Sequence, residues 1–83
     1  SNLRIKDDPF MYPNPATDEV MIYSTSDQRN TQFRLYDLKS NLLISKEIER
    51  SGTAIDLTFI KPGIYIGQLQ SENRTVNARL IKK

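Results

Sequence analysis

The side chains that most often perform catalysis are scarce in this sequence. Its 83 residues include neither cysteine nor histidine. A thiolate nucleophile, a disulfide and an imidazole general base are therefore excluded, and so are the commonest transition-metal ligands. The three glycines, at positions 52, 63 and 67, are too far apart to form a phosphate-binding loop. We therefore expect no catalytic residues, no enzymatic activity and no cofactor.

Two acidic pairs are the remaining candidates for chemistry. Asp7–Asp8 and Asp18–Glu19 offer carboxylates, but a calcium site needs about six to eight oxygen ligands from several segments. Neighbouring residues of a strand point to opposite faces, so neither pair has the geometry of two glycosidase acids. Solvated loop charge explains both pairs, and we expect no metal site.

The charge and hydropathy of the chain argue against two further classes of protein. A net charge of +2 is too small to indicate binding to nucleic acid. The apolar runs are much shorter than the roughly 20 residues of a membrane-spanning helix, so no membrane insertion is expected. No long apolar stretch follows Leu3–Lys6, so any export signal is expected to lie outside these residues.

The elements that carry these side chains are predicted to be short β-strands. Apolar and polar residues alternate with a period of two, and no segment keeps the spacing of an amphipathic helix over its full length. This pattern predicts an all-β fold, an immunoglobulin-like antiparallel β-sandwich of about seven short strands, with a small barrel as the alternative. Leu42, Ile44 and Ile48 are predicted to share one face. The predicted core is Val20, Ile22, Phe33, Leu35, Ile55, Leu57, Tyr65, Leu69, Val76 and Ala78.

Two turns are marked by proline, aspartate and asparagine. Tyr12 is predicted to end a short strand because Pro13 cannot donate to a ladder, and the two prolines of Pro13-Asn14-Pro15 restrict the turn that follows. Asp37 is suited to accept hydrogen bonds from the backbone ahead of it, and Asn41 tolerates the left-handed conformation. We therefore expect a hairpin turn over these residues.

A third turn leads into the strand that contains Tyr65. Pro62-Gly63 predicts a type II turn with a positive φ at Gly63. Tyr65 then begins a strand, where it is predicted either to return its hydroxyl to nearby backbone, as in a tyrosine corner, or simply to fill the core. Both interpretations are structural, and neither makes Tyr65 catalytic.

The last ten residues carry four basic side chains and no acidic one. Two interpretations remain open: contact with an anionic surface, or a charged edge that discourages edge-to-edge pairing. Asn73-Arg74-Thr75 matches an N-glycosylation sequon, although a tight turn accounts for Asn73 equally well.

Four phrases, taken in order, resemble a known family. They are Tyr12-Pro13-Asn14-Pro15-Ala16, Leu35-Tyr36-Asp37-Leu38, Pro62-Gly63-Ile64-Tyr65 and a terminal Lys82-Lys83. Their order and spacing, with the chain ending just after the last strand, resemble the type A C-terminal sorting domain of the type IX (Por) secretion system of Gram-negative bacteria. Ser40 stands where that family usually has glycine. The resemblance implies a linker over residues 1–9 and a sorting domain over residues 10–83.

The resemblance implies a non-catalytic secretion signal that follows a larger cargo domain. The cargo is expected to enter the periplasm with an N-terminal signal peptide, and the outer-membrane translocon then recognises the sorting domain. A sortase-like cysteine peptidase is expected to cut upstream of the domain, near or before Leu3. In many members the cargo is then joined to anionic lipopolysaccharide at the cell surface. The alternative is an immunoglobulin-like adhesion or carbohydrate-binding module of a secreted enzyme, although such modules often present Trp and this chain has none.

The resemblance also implies which residues form the sorting signal. Among the residues of this signal, the surface from Pro62 through Lys83 is predicted to be recognised by the secretion machinery. Ile64 and Ile66 face away from Tyr65 and are predicted to form a contact patch. The last strand is predicted to offer an open edge to which a partner strand adds. The full set is Tyr12, Pro13, Asn14, Pro15, Tyr36, Asp37, Pro62, Gly63, Tyr65, Leu80, Ile81, Lys82 and Lys83.

Overall fold

The computed structural model describes residues 10–23, 31–49, 52–72 and 74–83. These residues contain seven β-strands and no helix, as the period-two alternation predicted. Proline, glycine, asparagine and aspartate between the strands keep them short. The strands are β1 (Met11–Tyr12), β2 (Glu19–Ile22), β3 (Gln32–Tyr36), β4 (Leu42–Glu47), β5 (Thr53–Asp56), β6 (Gly63–Gln70) and β7 (Thr75–Lys82).

The seven strands form two antiparallel sheets. The three-stranded sheet has the order β1-β2-β5, and the four-stranded sheet has the order β4-β3-β6-β7. These orders reproduce the A-B-E and C-F-G neighbours of immunoglobulin domains. The fourth strand differs from the constant-type arrangement because it pairs with β3. The predicted antiparallel β-sandwich is confirmed.

The core lies between the two sheets and largely matches the prediction. Of the predicted core residues, Leu69, Val76 and Ala78 are partly buried and the others are buried. The predicted core omitted several further buried residues, most of which lie at strand ends or in irregular segments. These are Phe10, Met11, Ala16, Ile48 and Leu80.

The sheets approach each other closely where β1 lies over β6. The rings of Phe10 and Phe33 meet edge to face, with centroids 6.5 Å apart. A Cβ atom placed on Gly67 would lie 2.6 Å from the Met11 sulfur and 3.1 Å from a ring carbon of Phe33. Because Met11 and Phe33 are both buried, the missing side chain of Gly67 leaves the space that Met11 fills.

A bulge in the β3–β4 pair changes which side chains of β4 face the core. Leu35 pairs with Ile44, but the next residue, Tyr36, pairs with Leu42. Leu43 is therefore an extra residue, and both Leu43 and Ile44 pack against the core. Leu42 instead lies beside Tyr36 on the outer face and is 52% exposed. The predicted common face was wrong for Leu42 because one inserted residue reverses the alternation.

Several predictions fall outside the described residues. They are the linker over residues 1–9, the Asp7–Asp8 pair and Asn73 of the sequon. Asp18 and Glu19 are described and exposed. Within the described ranges, no three residues of the types Asp, Glu, His or Cys come together as a metal site. No helix in the described part of the chain is long and apolar enough to span a bilayer.

Candidate functional site

The side chain of Asn14, within the segment Tyr12–Ala16, binds the last strand, β7. Asn14 lies on an exposed segment between β1 and β2, flanked by cis peptide bonds before Pro13 and before Pro15. Its Oδ1 accepts the backbone N–H of Ile81 at 3.0 Å, and its Nδ2 donates to the carbonyl of Arg79 at 2.8 Å. The side-chain amide thus supplies the two hydrogen bonds that a neighbouring strand would supply.

The backbone of Ala16 extends this pairing toward the end of β7. Its N–H donates to the carbonyl of Ile81 at 2.8 Å, and its carbonyl accepts the N–H of Lys83 at 2.8 Å. Ala16 and Lys82 form an isolated parallel bridge. The N–H and carbonyl of Ile81 and the N–H of Lys83 are therefore already paired. The prediction of an open edge over Leu80–Lys83 was wrong, because the edge is covered by a segment more than sixty residues earlier in the chain.

The Pro62-Gly63 phrase leads directly into β6. Gly63 is the first residue of the strand and has a φ of 158°. The sign is as predicted, but a type II turn places its glycine near a φ of about 80°. The predicted type II turn was therefore wrong. The chain turns earlier, where the N–H of Ile60 donates to the carbonyl of Leu57 at 3.2 Å.

Tyr65 forms the tyrosine corner that its position predicted. Its side chain is buried on the core face of β6, and its hydroxyl donates to the carbonyl of Lys61. In the immunoglobulin order β6 corresponds to strand F, where such a tyrosine bonds to backbone a few residues upstream. The hydrogen bond fixes the segment before β6 against the start of the strand. Of the two predicted interpretations, the corner is confirmed.

Asp37 organises the turn between β3 and β4. Its Oδ1 accepts the N–H groups of Lys39 at 2.8 Å and Asn41 at 2.9 Å, and its Oδ2 accepts Asn41 Nδ2 at 2.9 Å. These bonds, chiefly that from the Asn41 amide, lower the pKa of the Asp37 carboxyl. The left-handed residue is Ser40, with a φ of 72°, although Asn41 is the residue that tolerates this conformation more readily. Ser40 therefore has the conformation that glycine adopts most easily.

The pairing brings all four phrases to one end of the four-stranded sheet. Gly63 pairs with Lys82, and Ile64 pairs with Ile81. Tyr36 pairs with Ile66 on the neighbouring strand. Asn14 and Ala16 bind the same end of β7. Segments far apart in sequence therefore build one continuous structural unit.

The terminal residues Leu80–Lys83 divide between the core and the surface. Leu80 is fully buried, and Lys82 is 9% exposed. Most of the Lys82 side chain is therefore covered by protein, as the aliphatic part of a lysine often is. Ile81 is 39% exposed on the outer face, and Lys83 is exposed. Tyr12 and Pro62 are also exposed. The predicted signal residues therefore mix structural with accessible side chains.

The family model for the secretion-system C-terminal sorting domain matches residues 10–83. The chain belongs to this family. The family is the sorting signal of the type IX secretion system, so the sorting domain serves export to the cell surface or beyond it. A comparison with curated proteins finds no match.

The site of the sorting domain is suited to recognition. The site exposes the outer face of the four-stranded sheet and the turns at one end of it. Side-chain hydrogen bonds of Asn14 and Asp37 hold these turns in place. Such a rigid surface presents a fixed shape to a partner at little cost in conformational entropy. The sorting domain can therefore be recognised as a folded unit.

Proposed function

We propose that this sorting domain directs an upstream cargo protein through the type IX translocon and across the outer membrane. The chief support is that the four family phrases, scattered from Tyr12 to Lys83, meet at one end of the sandwich. A signal built from distant segments exists only in the folded state. The translocon would therefore read a folded domain, not a linear peptide.

The proposal includes the passage and processing that the family suggests. The cargo reaches the periplasm first, and the domain is recognised there. A sortase-like cysteine peptidase then removes the domain by cutting near or before Leu3. The cargo is finally released or joined to surface lipopolysaccharide.

A reporter fusion tests the function. The chain is fused behind a periplasm-targeted reporter and expressed in a bacterium that has the type IX system and in a matched strain lacking the translocon. The reporter is expected on the cell surface or in the medium only when the translocon is present. Retention in the periplasm of the competent host would refute the sorting function and favour the adhesion or carbohydrate-binding alternative.

Deleting residues from the end of the chain is a poor test of the signal. Leu80 is fully buried and Lys82 nearly so, so removing Leu80–Lys83 takes away core packing together with any recognition element. Point substitutions of exposed side chains separate the two effects, because they leave the core in place.

A further inference from the structure

The four-stranded sheet carries an apolar patch on its outer face. The patch consists of Leu42, Tyr36, Ile66, Ile64 and Ile81, and each lies directly opposite or two residues along a strand from the next. Leu42, Ile64 and Ile81 are 52%, 44% and 39% exposed. On an antiparallel sheet such neighbours touch and form one surface. We call this surface the outer apolar patch.

The rest of the same face is polar. Beyond Ile66, β6 continues with Gln68 and Gln70, which lie beside Asn77 and Thr75 of β7. Gln68 donates to Asn77, and Arg34 donates to Gln70. The contrast indicates that the apolar end is not a general property of the sheet. Exposed apolar patches bounded by polar residues are typical of interaction sites.

The charged residues around the outer apolar patch are mainly basic. Arg79 pairs with Ile66 and lies on the face itself. Lys39 lies in the adjoining β3–β4 turn, Lys61 three residues before Ile64, and Lys83 two residues after Ile81. The carboxylate of Asp37 in the same turn already accepts three hydrogen bonds. The acidic residues Asp18, Glu19 and Asp56 belong to the three-stranded side of the sandwich.

We propose that the outer apolar patch docks onto a protein surface whose apolar residues are flanked by carboxylates. This inference rests on the proposed function and names the surface that the secretion machinery reads. Apolar contact supplies the affinity, and the basic rim selects acidic partners and disfavours others. A second copy of this chain would bring two basic rims together.

A lipid surface fits the patch less well than a protein does. Ile64 and Ile81 are 44% and 39% exposed on a strand face, and Ile66 is less exposed, so these side chains cannot reach deep into a bilayer. Interfacial binding requires apolar side chains buried roughly 5–10 Å below the headgroups. Among the described residues, the most exposed apolar side chains are Tyr12, Leu38 and Phe59, and they lie outside the patch. A shallow face is better matched by the complementary face of another protein.

Two substitutions and their matched controls test the patch in the reporter fusion. Ile64→Thr with Ile81→Thr removes apolar area while keeping β-branched residues in both strands. Arg79→Glu reverses the rim charge. The controls are Phe59→Ser, an exposed apolar residue on the β5–β6 turn, and Arg74→Glu, at the opposite end of β7. Both patch variants are expected to lower the secreted fraction about tenfold or more, and the controls less than about twofold.

The folding of each variant and the identity of whatever binds the outer apolar patch are measured separately. Each purified chain is checked by circular dichroism and thermal unfolding, so that a variant lost through misfolding is replaced by the milder Ile64→Val or Arg79→Gln. Photo-crosslinking from position 64, with position 59 as the control, identifies what covers the patch in cells. A crosslinked peptide that combines apolar and acidic residues, obtained from position 64 alone, supports the proposal. Sedimentation of the purified chain tests whether a second copy covers the patch. Binding of the chain to phosphatidylglycerol vesicles tests whether a lipid surface does.

The outcomes distinguish the patch from the sorting function. Equal secretion of folded patch and control variants overturns the patch proposal while the sorting function stands. A wild-type fusion that is not secreted but crosslinks from position 64 to an acidic protein overturns the sorting function, and with it the reading of the patch by the secretion machinery, while the patch still stands as a docking surface for an acidic protein. Crosslinks only to a second copy, or loss of vesicle binding in the patch variants without any protein crosslink, overturn the proposed partner.

Discussion

The side-chain amide of Asn14 lies against the backbone of Ile81 as a neighbouring strand would. Oδ1 accepts the Ile81 N–H at 3.0 Å while Nδ2 donates to the carbonyl of Arg79 at 2.8 Å. Only an amide side chain offers an acceptor and a donor at this spacing, whereas a carboxylate would place a second oxygen against the Arg79 carbonyl. Asparagine between the two prolines is therefore a specific requirement of the edge.

Replacing Asn14 should loosen the end of β7 selectively. Asn14→Ala removes two hydrogen bonds and should lower the free energy of unfolding by about 1–2 kcal/mol, and Asn14→Asp by at least as much because two oxygens then face each other. Amide hydrogen exchange should show faster exchange at Ile81, which donates to Asn14, with a smaller change at Arg34 inside β3. Unchanged protection of the Ile81 amide in both variants would contradict this account of the edge.

Ser40 is expected to be a site where glycine stabilises the fold. Its φ of 72° lies in a region that costs residues with a Cβ about 1–2 kcal/mol, whereas glycine enters it freely but loses more entropy on folding. Ser40→Gly should therefore raise the free energy of unfolding by roughly 0.5–1 kcal/mol. Ser45→Gly, within β4, is the matched control and should lower it. Chemical denaturation measures both, and destabilisation by Ser40→Gly would show that the turn relaxes in solution.

Local patterns predicted the strands and the tyrosine corner, because both depend on neighbouring residues. The alternation around Val20 and Phe33 is set by which face meets the core. The position of Tyr65, just after Pro62-Gly63, is a local feature as well. The outer position of Leu42 could not be predicted, since the bulge that places it depends on the pairing with β3.

The candidate site was predictable as a set of phrases but not as an assembly. No local signal indicates that Asn14 binds Ile81, because the contact joins residues 67 positions apart. The cover over the last strand was therefore missed, and an open edge was expected. The apolar pair Ile64 and Ile66 was found from its position opposite Tyr65. Leu42 and Ile81 joined it only through the pairing of β3, β4 and β7.

The hydroxyl of Tyr65 should contribute measurably to stability. Tyr65→Phe removes its hydrogen bond to the Lys61 carbonyl and keeps the ring in the core. The expected loss is about 1 kcal/mol, the usual range for one intramolecular hydrogen bond. Tyr12→Phe, at a position 66% exposed, should change the free energy of unfolding by much less. Similar denaturation midpoints for the two variants would mean that the corner adds nothing.

The turn carboxylate makes stability depend on pH. Hydrogen bonds from Asn41 lower the pKa of Asp37 in the folded state, so its contribution is complete above the unfolded pKa of about 3.9. That contribution is lost as the pH falls through the lower folded pKa. The pKa of Asp56 is also lowered, by hydrogen bonds from Thr58. Asp56 therefore also contributes stability that is lost as the pH falls.

The melting temperature should therefore fall as the pH is lowered from about 5 to about 2. Asp37→Asn should lower it near neutral pH and reduce this acid-induced fall. Asp37→Asn with Asp56→Asn should reduce the fall further. Scanning calorimetry across the range measures the effect, and an acid-induced fall of the same size in all three proteins would exclude both carboxylates as its source.

Gly67 should tolerate no side chain while Met11 is present. A Cβ atom there would lie 2.6 Å from the Met11 sulfur, and the burial of Met11 and Phe33 leaves neither free to move aside. Gly67→Ala should therefore destabilise the domain by about 1–3 kcal/mol, the usual cost of overpacking a core. Met11→Ala alone should also destabilise, because it opens a cavity.

The double variant separates a steric clash from a general loss of core. If the clash is the cause, Met11→Ala makes room for the added methyl group, and the two losses in the free energy of unfolding should sum to more than the loss in the double variant. The difference should be on the order of 1 kcal/mol, well above the error of urea denaturation for a domain of this size. Strict additivity would mean that Gly67 is required by its own backbone and not by the packing of Met11. In that case the contact between β1 and β6 would not be what fixes the two sheets together at this point.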